Sequence, residues 1–268
     1  MDNWPIAWLD RLSPWLQGSL ICAVFVGIAW LGIVTVHPLL RRLLHGDEPS
    51  NETIIFAAAS FGLFYGVLLG LVTIATFEST KDTIAALGRE ASSLSTLYSA
   101  AGGYSEPLRS QLKEQLRDYD RYVIDKAWPA QRRGVVLEAG EHRIEAIRQT
   151  VLSFKPTTKN EEILQGEMQR YLNELEDARD HRLSAVTASM PALLWYLVLL
   201  GAFLSIVFVW MLHMHLISQF LLGGVTALFL GFLVFLIYSL DHPLRAGAIS
   251  VSPDAFEAVW DQVMKWDE

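Results

Sequence analysis

The longest stretch of this chain without a helix-breaking residue begins apolar and ends charged. Residues 53–77 carry no charged side chain, and about 25 apolar residues are enough for a helix to cross a bilayer. Residues 78–101 contain several charged side chains, yet proline is absent from residues 54–104. One helix over both halves would be roughly 70 Å long at about 1.5 Å of rise per residue. The sequence therefore predicts a helix that leaves the membrane and continues in water.

Small residues mark one face of this helix for close packing. In the membrane half, Gly62, Gly66 and Gly70 recur every four residues, a pattern that lets another helix approach closely. In the water half, apolar residues repeat at heptad spacing on the same side of the helical wheel. These apolar residues are Ile84, Leu87, Ala91, Leu94 and Tyr98. We predict that this face packs against other helices.

The opposite face of the helix is available to lipid, to a neighbouring subunit or to a pore. In an oligomer, its aromatic and branched side chains would form a hydrophobic constriction that gates by dewetting. Glu78 and Asp82 would form acidic rings that favour cations, and Arg89 would oppose them. If Phe61 and Phe64 face lipid instead, this side of the helix lines no pore. The predicted pore-lining residues are Ser60, Phe61, Phe64, Leu68, Leu71, Ala75, Glu78 and Asp82.

The composition predicts an all-α, polytopic membrane protein. Of its 268 residues, 52% are hydrophobic, and the mean hydropathy is +0.30, which is high for a soluble protein. Four transmembrane helices, with a helical cytoplasmic domain inserted between the second and third, account for these values. The predicted parts are an N-terminal interfacial segment with spans one and two (residues 1–77), a cytoplasmic helical bundle (78–190), spans three and four (191–240), and a cytoplasmic tail with an amphipathic helix (241–268).

Local signals place three boundaries within the predicted bundle. The Trp128-Pro129 pair is predicted to end a helix, since proline has no backbone N–H to donate. Residues 134–140, which begin and end with glycine, are predicted to form a loop. Thr158 is predicted to begin a later helix, with Glu161 three residues on completing a capping box.

Lysine and arginine near the span ends predict the orientation in the membrane. Cytoplasmic span ends carry an excess of these residues. The side that holds both termini and the bundle is richer in them than the other side, which holds Arg41 and Arg42. We therefore predict that both termini and the bundle are cytoplasmic. The residues on the richer side are Arg11, Lys81, Arg89, Arg179, Arg182 and Arg245.

Charge, cysteine content and motifs exclude several functional classes. The net charge of −8 makes nucleic acid an unsuitable partner. Cys22 is the only cysteine, which excludes an intramolecular disulfide and a cysteine metal cluster. The sequence lacks the P-loop, zinc-protease, dinucleotide-binding and serine-hydrolase motifs, so we predict no enzymatic activity and no cofactor. His213 and His215 flank Met214 and could bind copper, but an ordinary interfacial turn explains them as well, and we predict no metal site.

Asp241 follows the last apolar turn of the fourth span. A carboxylate at a helix C-terminus is disfavoured by the helix dipole, and partial burial adds a desolvation cost. We therefore predict a structural ion pair, with Arg245, Arg89 or Arg182 as the partner. The alternative is that Asp241 is a hydrated polar stop at the end of the span.

Several short motifs together resemble the bacterial bestrophin-like family of unknown function. They extend in order from the second span to near the C-terminus, so the resemblance covers most of the chain. The motifs are Arg89-Glu90-Ala91 with Leu94, Leu97 and Tyr98; Glu106-Pro107-Leu108-Arg109; Ala127-Trp128-Pro129; Leu240-Asp241-His242-Pro243-Leu244; and Val251-Ser252-Pro253-Asp254-Ala255-Phe256.

The resemblance implies four spans with a cytoplasmic helical domain, located in the bacterial inner membrane. Kinship with bestrophins, which are pentameric anion channels, implies a homo-oligomer that conducts inorganic ions and whose second span lines the pore. The chain departs from bestrophins at Glu78 and Asp82, whose charge does not suit anions. The alternative function is a non-conducting membrane scaffold or sensor whose cytoplasmic bundle binds a partner. The lipid bilayer is a partner in either case.

Overall fold

The computed structural model describes residues 12–43, 51–187, 189–241, 243–244 and 251–266. Every regular element among these residues is helical, in agreement with the predicted all-α class. The α-helices are α1 (Pro14–Leu43), α2 (Asn51–Ala101), α3 (Leu108–Tyr122), α4 (Trp128–Gln131), α5 (Ala139–Ser153), α6 (Lys159–Thr187), α7 (Ala192–Met211), α8 (Leu216–Asp241) and α9 (Asp254–Val259). Two π-helical turns follow α3 and α9, at Val123–Ala127 and Trp260–Met264.

The described residues divide into two compact units. The spanning unit contains residues 12–43, 51–79 and 189–241, and the polar unit contains residues 80–187, 243–244 and 251–266. Helix α2, which is 51 residues long, contributes to both units. The predicted continuity of this helix is therefore confirmed.

Within the described part of the chain, four helices are long and apolar enough to cross a membrane, as predicted. They are Pro14–Leu39, Asn51–Ala101, Ala192–Met211 and Leu216–Asp241. The third and fourth begin soon after Pro191 and the His213–His215 turn, and the fourth ends at Asp241, where the apolar sequence stops. In hydrocarbon a helix satisfies all of its interior backbone groups, which explains why long apolar runs adopt this structure.

Aromatic rings lie over glycines where the spans pack together. The Trp210 ring occupies the space in which a side chain at Gly32 would stand, and the Tyr65 ring does the same at Gly201. The Trp210 indole then donates a hydrogen bond of 2.9 Å to the carbonyl of Ala29. These glycines let a large ring approach the backbone of a neighbouring helix, which is how small residues serve membrane packing.

The polar unit has an apolar core, and the predicted heptad face of α2 contributes Leu87, Ala91, Leu94 and Tyr98 to it, whereas Ile84 is exposed. Leu112 and Leu116 of α3, Ile144 and Ile147 of α5, and Met168 of α6 are all buried. The second half of α2 and the C-terminal helix α9 complete this core. Other members include Leu97, Val151, Leu172, Leu175 and Phe256.

One predicted boundary is confirmed and another is wrong. At the start of α6 the Thr158 N–H donates to Glu161 and the Glu161 N–H donates to the Thr158 hydroxyl, which is the predicted capping box. The helix before Pro129, however, continues to Gln131. The π-helical turn Val123–Ala127 shifts the backbone hydrogen bonds just before the proline. The missing N–H of Pro129 therefore falls in the first turn of α4, where proline is tolerated.

A carboxylate interrupts the core of the polar unit. Asp120 on α3 is fully buried, and neither of its oxygens has a hydrogen-bond partner among the described residues. Burial raises the pKa of Asp120 to about 7, and the nearby charge of Arg121 opposes this rise only in part. An unpaired buried charge is costly, so the carboxyl group is favoured in its protonated form.

We expect Asp120 to make the stability of the protein fall as the pH rises. An unfolded aspartate releases its proton near pH 4, whereas folded Asp120 holds it to about pH 7. The stability supplied by the protonated form is therefore complete below about pH 4 and is lost as the pH rises to about 7. We compare the free energy of unfolding of Asp120→Asn with that of the wild type. This difference should favour the variant more at pH 8 than at pH 4, by on the order of 2–4 kcal/mol.

Chemical denaturation in detergent at the two pH values measures this difference. Asp125→Asn is the control because it removes an exposed charge one and a half turns along the same helical segment. It should change the free energy of unfolding by less than about 0.5 kcal/mol at either pH. Equal pH dependence in the wild type and Asp120→Asn would show that Asp120 is not the responsible group.

Candidate pore helix and its anchors

The membrane half of α2 packs on its own chain along one narrow stripe. Ile54, Tyr65, Leu69 and Val72 are buried on this stripe. On a helical wheel at about 100° per residue, the stripe lies between the glycine face and the predicted pore face. The buried stripe is therefore the main packing face of this span within the chain. The glycine face and the predicted pore face lie on either side of it, and we call them the glycine flank and the pore flank.

The glycine flank has no neighbour within the described chain. A Cβ atom placed on Gly62, Gly66 or Gly70 would meet no atom of the described residues within 4 Å. The close packing predicted for these glycines is thus absent from the single chain. It remains a prediction about a helix of another copy.

The predicted pore flank is partly buried near its border with the stripe and exposed beyond it. The Phe61 ring stacks on Tyr65, with 5.7 Å between ring centroids, and contacts Phe208 at 5.6 Å. Ser60, Phe61 and Leu68 are half-buried, whereas Phe64 is 75% exposed. The other exposed members of the predicted set are Leu71, Ala75, Glu78 and Asp82, and Arg89 is also exposed.

A buried ion pair anchors the second half of α2 within the polar unit. The Arg182 guanidinium donates to both oxygens of Glu90, with Nε–Oε2 and Nη2–Oε1 distances of 2.6 and 2.9 Å. Tyr119 donates its hydroxyl to Glu90 Oε1 at 2.6 Å. The third guanidinium nitrogen donates to the side-chain oxygen of Gln131 at 2.6 Å. Residues from α2, α3, α4 and α6 thus meet in one fully bonded network.

The surroundings of Arg182 and Tyr119 keep the guanidinium charged and the hydroxyl protonated. Burial alone would lower the pKa of the Arg182 guanidinium, but the charge and hydrogen bonds of Glu90 outweigh burial and hold that pKa above its ordinary value. Burial, together with the negative charge of Glu90, raises the pKa of the Tyr119 hydroxyl well above its usual range. Tyr119 therefore stays a proton donor to Glu90.

Sequence reasoning did not identify this pair. The sequence predicts Arg182 as one candidate partner of Asp241, but Arg182 pairs with Glu90 instead. The helical spacing does indicate that Glu90 is buried, because Glu90 lies between Leu87 and Leu94 on the apolar side of α2. A charged residue on a buried face requires a partner.

Asp241 accepts hydrogen bonds from N–H groups at the start of α7. Its two oxygens accept from the Met190 backbone N–H at 2.6 Å and from the Trp195 indole at 3.1 Å. The carboxylate is disfavoured at the C-terminus of α8 but favoured beside the N-terminus of α7, where the helix dipole is positive. Arg245 lies outside the described residues, so its pairing with Asp241 remains a prediction.

The turn between α7 and α8 is fixed by hydrogen bonds. The Asn51 side chain donates to the His213 carbonyl at 2.6 Å and accepts from the His213 N–H at 2.9 Å. Met214 and His215 are exposed. Among the residues that the structure describes, His, Cys, Asp and Glu side chains form no cluster of three or more suited to a metal ion.

Comparison with known proteins places the chain in a family. Residues 23–256 match the Bestrophin-like domain family. The chain belongs to the bestrophin-like family. The resemblance drawn from its short motifs is therefore confirmed. No curated protein sequence matches this bestrophin-like chain.

Solved structures share the fold at low sequence identity. A crystal structure of a bacterial bestrophin homologue from Klebsiella pneumoniae, carrying one substitution, has a TM-score of 0.67 at 12% identity and covers 94% of this chain and 100% of its own. A structure of the Klebsiella pneumoniae homologue phased with zinc has a TM-score of 0.61 at 12% identity, covering 92% and 97%. A crystal structure described as a membrane protein has a TM-score of 0.67 at 12% identity, covering 91% and 98%.

We expect the buried pair of this bestrophin-like chain to be intolerant of single substitutions. Arg182→Met leaves the Glu90 carboxylate buried without its counter-charge and should cost about 3–5 kcal/mol of unfolding free energy. Chemical denaturation in detergent measures this cost. Arg170→Met is the matched control because Arg170 forms exposed pairs with Glu167 and Glu174. It should cost less than about 1 kcal/mol.

The double variant Glu90→Leu/Arg182→Met tests the explanation. It removes both charges, so it should be more stable than Arg182→Met alone, although Tyr119 and Gln131 lose their partners. A double variant less stable than the Arg182→Met single variant would mean that uncompensated charge is not the main cost.

Proposed function

We propose that this chain is an oligomeric ion channel in which the membrane half of α2 lines the conduction path. The observation that carries the proposal is the single buried stripe of α2. A span that packs on its own chain along one stripe leaves both flanks to other neighbours. Membership in the bestrophin-like family supports the proposal, since similar solved structures are described as bestrophin homologues.

The two flanks of the stripe suit two kinds of neighbour. In a ring of identical copies, each subunit has a side that meets the next copy and a side that faces the axis. Gly62, Gly66 and Gly70 carry no side chain, so their flank accepts a closely packed helix from an adjacent copy. The flank of Phe64 and Leu71 then faces the axis, where inorganic ions pass.

Apolar side chains at the axis would act as the gate. Phe64 is 75% exposed in the single chain and Leu71 is 63% exposed. A ring of such side chains expels water from a narrow pore, and the dry stretch blocks ions. Phe61 and Leu68 are half-buried and support the ring from behind. Ser60 and Ala75 lie on the same face as the gate, nearer the two ends of the span.

Charged residues beyond the gate would set ion preference. Glu78 and Asp82 are exposed on α2. Repeated around an axis they form acidic rings, which attract cations. Arg89 is also exposed and would oppose them. We therefore propose a preference for cations.

We also propose that the protein lies in the bacterial inner membrane with both termini and the polar unit in the cytoplasm. Residues 80–187 of the polar unit then form a domain inserted between the second and third spans, and residues 251–266 join it from beyond the fourth span. The lysine and arginine distribution supports this orientation. In a Cys22→Ser background, impermeant thiol reagents should label Ser110→Cys and Ser218→Cys from opposite sides of the membrane. Labelling of the residue 110 variant from outside the cell would reverse the orientation.

A non-conducting scaffold or sensor is the second candidate function. It is favoured by the apolar character of the proposed lining. Among the lining residues from Ser60 to Ala75, only Ser60 has a polar side chain. Such a face also suits lipid. No catalytic role is proposed for either candidate.

We expect Gly66→Leu to disrupt assembly and to leave the fold of the single chain intact. The new side chain would meet no described atom within the chain but would push away a helix of another copy. Overpacking of this kind costs about 1–3 kcal/mol at each interface. Native mass spectrometry of the detergent-solubilised protein measures the subunit number, and thermal unfolding of the dissociated chain checks the fold.

Two other glycine variants serve as controls. Gly27→Leu also places a side chain in open space, on α1, and should leave assembly unchanged. Gly201→Ala would collide with the Tyr65 ring and should destabilise the fold itself. If Gly66→Leu assembles like the wild type, the glycine flank is not the interface.

We expect Phe64→Ser to raise ion flux through the purified protein in liposomes. A hydroxyl in the constriction lowers the cost of wetting, so conductance increases. Phe229→Ser is the matched control because Phe229 is 61% exposed on α8, away from the proposed lining. It should leave flux unchanged. Absence of flux in both the wild type and Phe64→Ser would exclude the channel and favour the scaffold.

If flux is measured, Glu78→Gln tests the acidic ring. The substitution keeps the shape of the side chain and removes its charge. The cation preference, read from the reversal potential in a salt gradient, should fall. An unchanged reversal potential would place Glu78 away from the conduction path.

A further inference from the structure

A loop of the polar unit exposes three successive apolar side chains. Val135, Val136 and Leu137 are 48%, 39% and 36% exposed. Every residue from 132 to 139 is exposed except Gly134, which is half-buried. This segment, here called the tip, therefore presents its side chains to solvent. A run of exposed apolar residues on such a tip marks a surface that is covered when the protein is in its working environment.

The shape of the tip is fixed by the helix end before it. Gly134 has φ of 74°, a conformation that glycine adopts without steric cost. The Gly134 N–H donates to the Gln131 carbonyl at 2.8 Å, and the Val135 N–H donates to the Ala130 carbonyl at 3.0 Å. These two bonds form a Schellman motif. In that motif the apolar residue after the glycine usually packs back on the helix, but Val135 remains half exposed.

Two arginines beside the apolar residues have no carboxylate partner. Arg132 and Arg133 are exposed, and neither side chain forms an ion pair or hydrogen bond with any described residue. Several other arginines of the polar unit pair with acidic side chains: Arg143 with Asp118, Arg148 with Glu176, and Arg170 with Glu167 and Glu174. Arg132 and Arg133 therefore place positive charge at one end of the apolar residues, and the exposed Glu138 carboxylate lies at the other end.

Both ends of the tip are held beside the last turns of α6. At one end, Gln131 accepts the hydrogen bond from Arg182. At the other, a Cβ atom on Gly140 would lie 3.5 Å from the Arg179 guanidinium. Arg182 precedes the end of α6 by about 8 Å of helix rise. Along the chain, the third span begins at Ala192, shortly after α6 ends at Thr187.

We propose that residues 132–137 dock on the headgroup region of an anionic bilayer. Val135, Val136 and Leu137 enter the boundary between headgroups and acyl chains, and Arg132 and Arg133 bind anionic headgroups. Basic residues beside apolar ones are the combination that binds such surfaces. A fluid interface closes around side chains that are exposed along the whole segment, whereas a protein surface must supply a matching groove.

The charges of Arg132 and Arg133 should make docking of the loop depend on anionic lipid. Each arginine near an anionic surface increases the ratio of docked to undocked loop by about fivefold. Arg132→Gln/Arg133→Gln should therefore lower this ratio by about 25-fold. High salt should also lower the ratio of docked to undocked loop, because it screens exposed charges.

Fluorescence in lipid nanodiscs tests the proposal. The full-length Val136→Cys variant, in a Cys22→Ser background, is labelled with an environment-sensitive fluorophore. Nanodiscs contain either phosphatidylcholine alone or phosphatidylcholine with phosphatidylglycerol, with and without a lipid that carries a nitroxide near its headgroup. In anionic nanodiscs we expect blue-shifted emission that the nitroxide lipid quenches. Both effects should weaken in neutral nanodiscs and in Arg132→Gln/Arg133→Gln.

Matched controls use the other end of α5. Leu152 is an exposed apolar residue near the C-terminus of α5, so labelled Leu152→Cys should emit as in water and resist quenching. Lys155→Gln/Lys159→Gln removes two exposed charges near Leu152 and should leave the signal at position 136 unchanged.

Two results would overturn the proposal. Emission from position 136 that equals emission from position 152 in every lipid would show a loop in solvent. Blue-shifted emission that the nitroxide lipid does not quench would show contact with protein, such as a second copy, in place of lipid.

Discussion

The buried pair of Glu90 and Arg182 is the interaction on which the polar unit depends. Each charge alone would be prohibitive in the core, and each is acceptable because the other lies in bidentate contact with it. Tyr119 and Gln131 satisfy the remaining hydrogen-bonding groups, so four helices must be in register for the network to form. The pair therefore determines which face of α2 the polar unit covers.

The spanning unit depends on a different constraint. Lipid is as apolar as the side chains, so burial of apolar surface does not by itself hold the spans together. Close contact between helices and specific hydrogen bonds hold the spans together instead. The Tyr65 hydroxyl donates to the Val198 carbonyl at 2.7 Å, and the Trp30 indole donates to the Phe220 carbonyl at 3.1 Å. Each bond joins two spans through a backbone carbonyl.

Two buried carboxylates in the polar unit show how partners decide the role of a charge. Glu90 and Asp120 are both fully buried. Glu90 accepts from Arg182 and Tyr119, so its charge stabilises a specific arrangement of helices. Asp120 has no hydrogen-bond partner among the described residues, so its carboxyl group favours the proton and links stability to pH. Both groups are carboxyl groups, so the difference between their roles comes from their surroundings.

The sequence by itself determined the fold class, the four spans, the continuity of α2 and the capping box at Thr158. These features depend on local periodicity, on the length of apolar runs and on residues a few positions apart. Only the tertiary structure decided which stripe of α2 is buried, because residues that face lipid and residues that face protein are equally apolar in a span. It alone paired Glu90 with Arg182, since the two are 92 residues apart and a single sequence carries no signal that links them. The same reason applies to Asp241, whose hydrogen bonds come from the start of the preceding span.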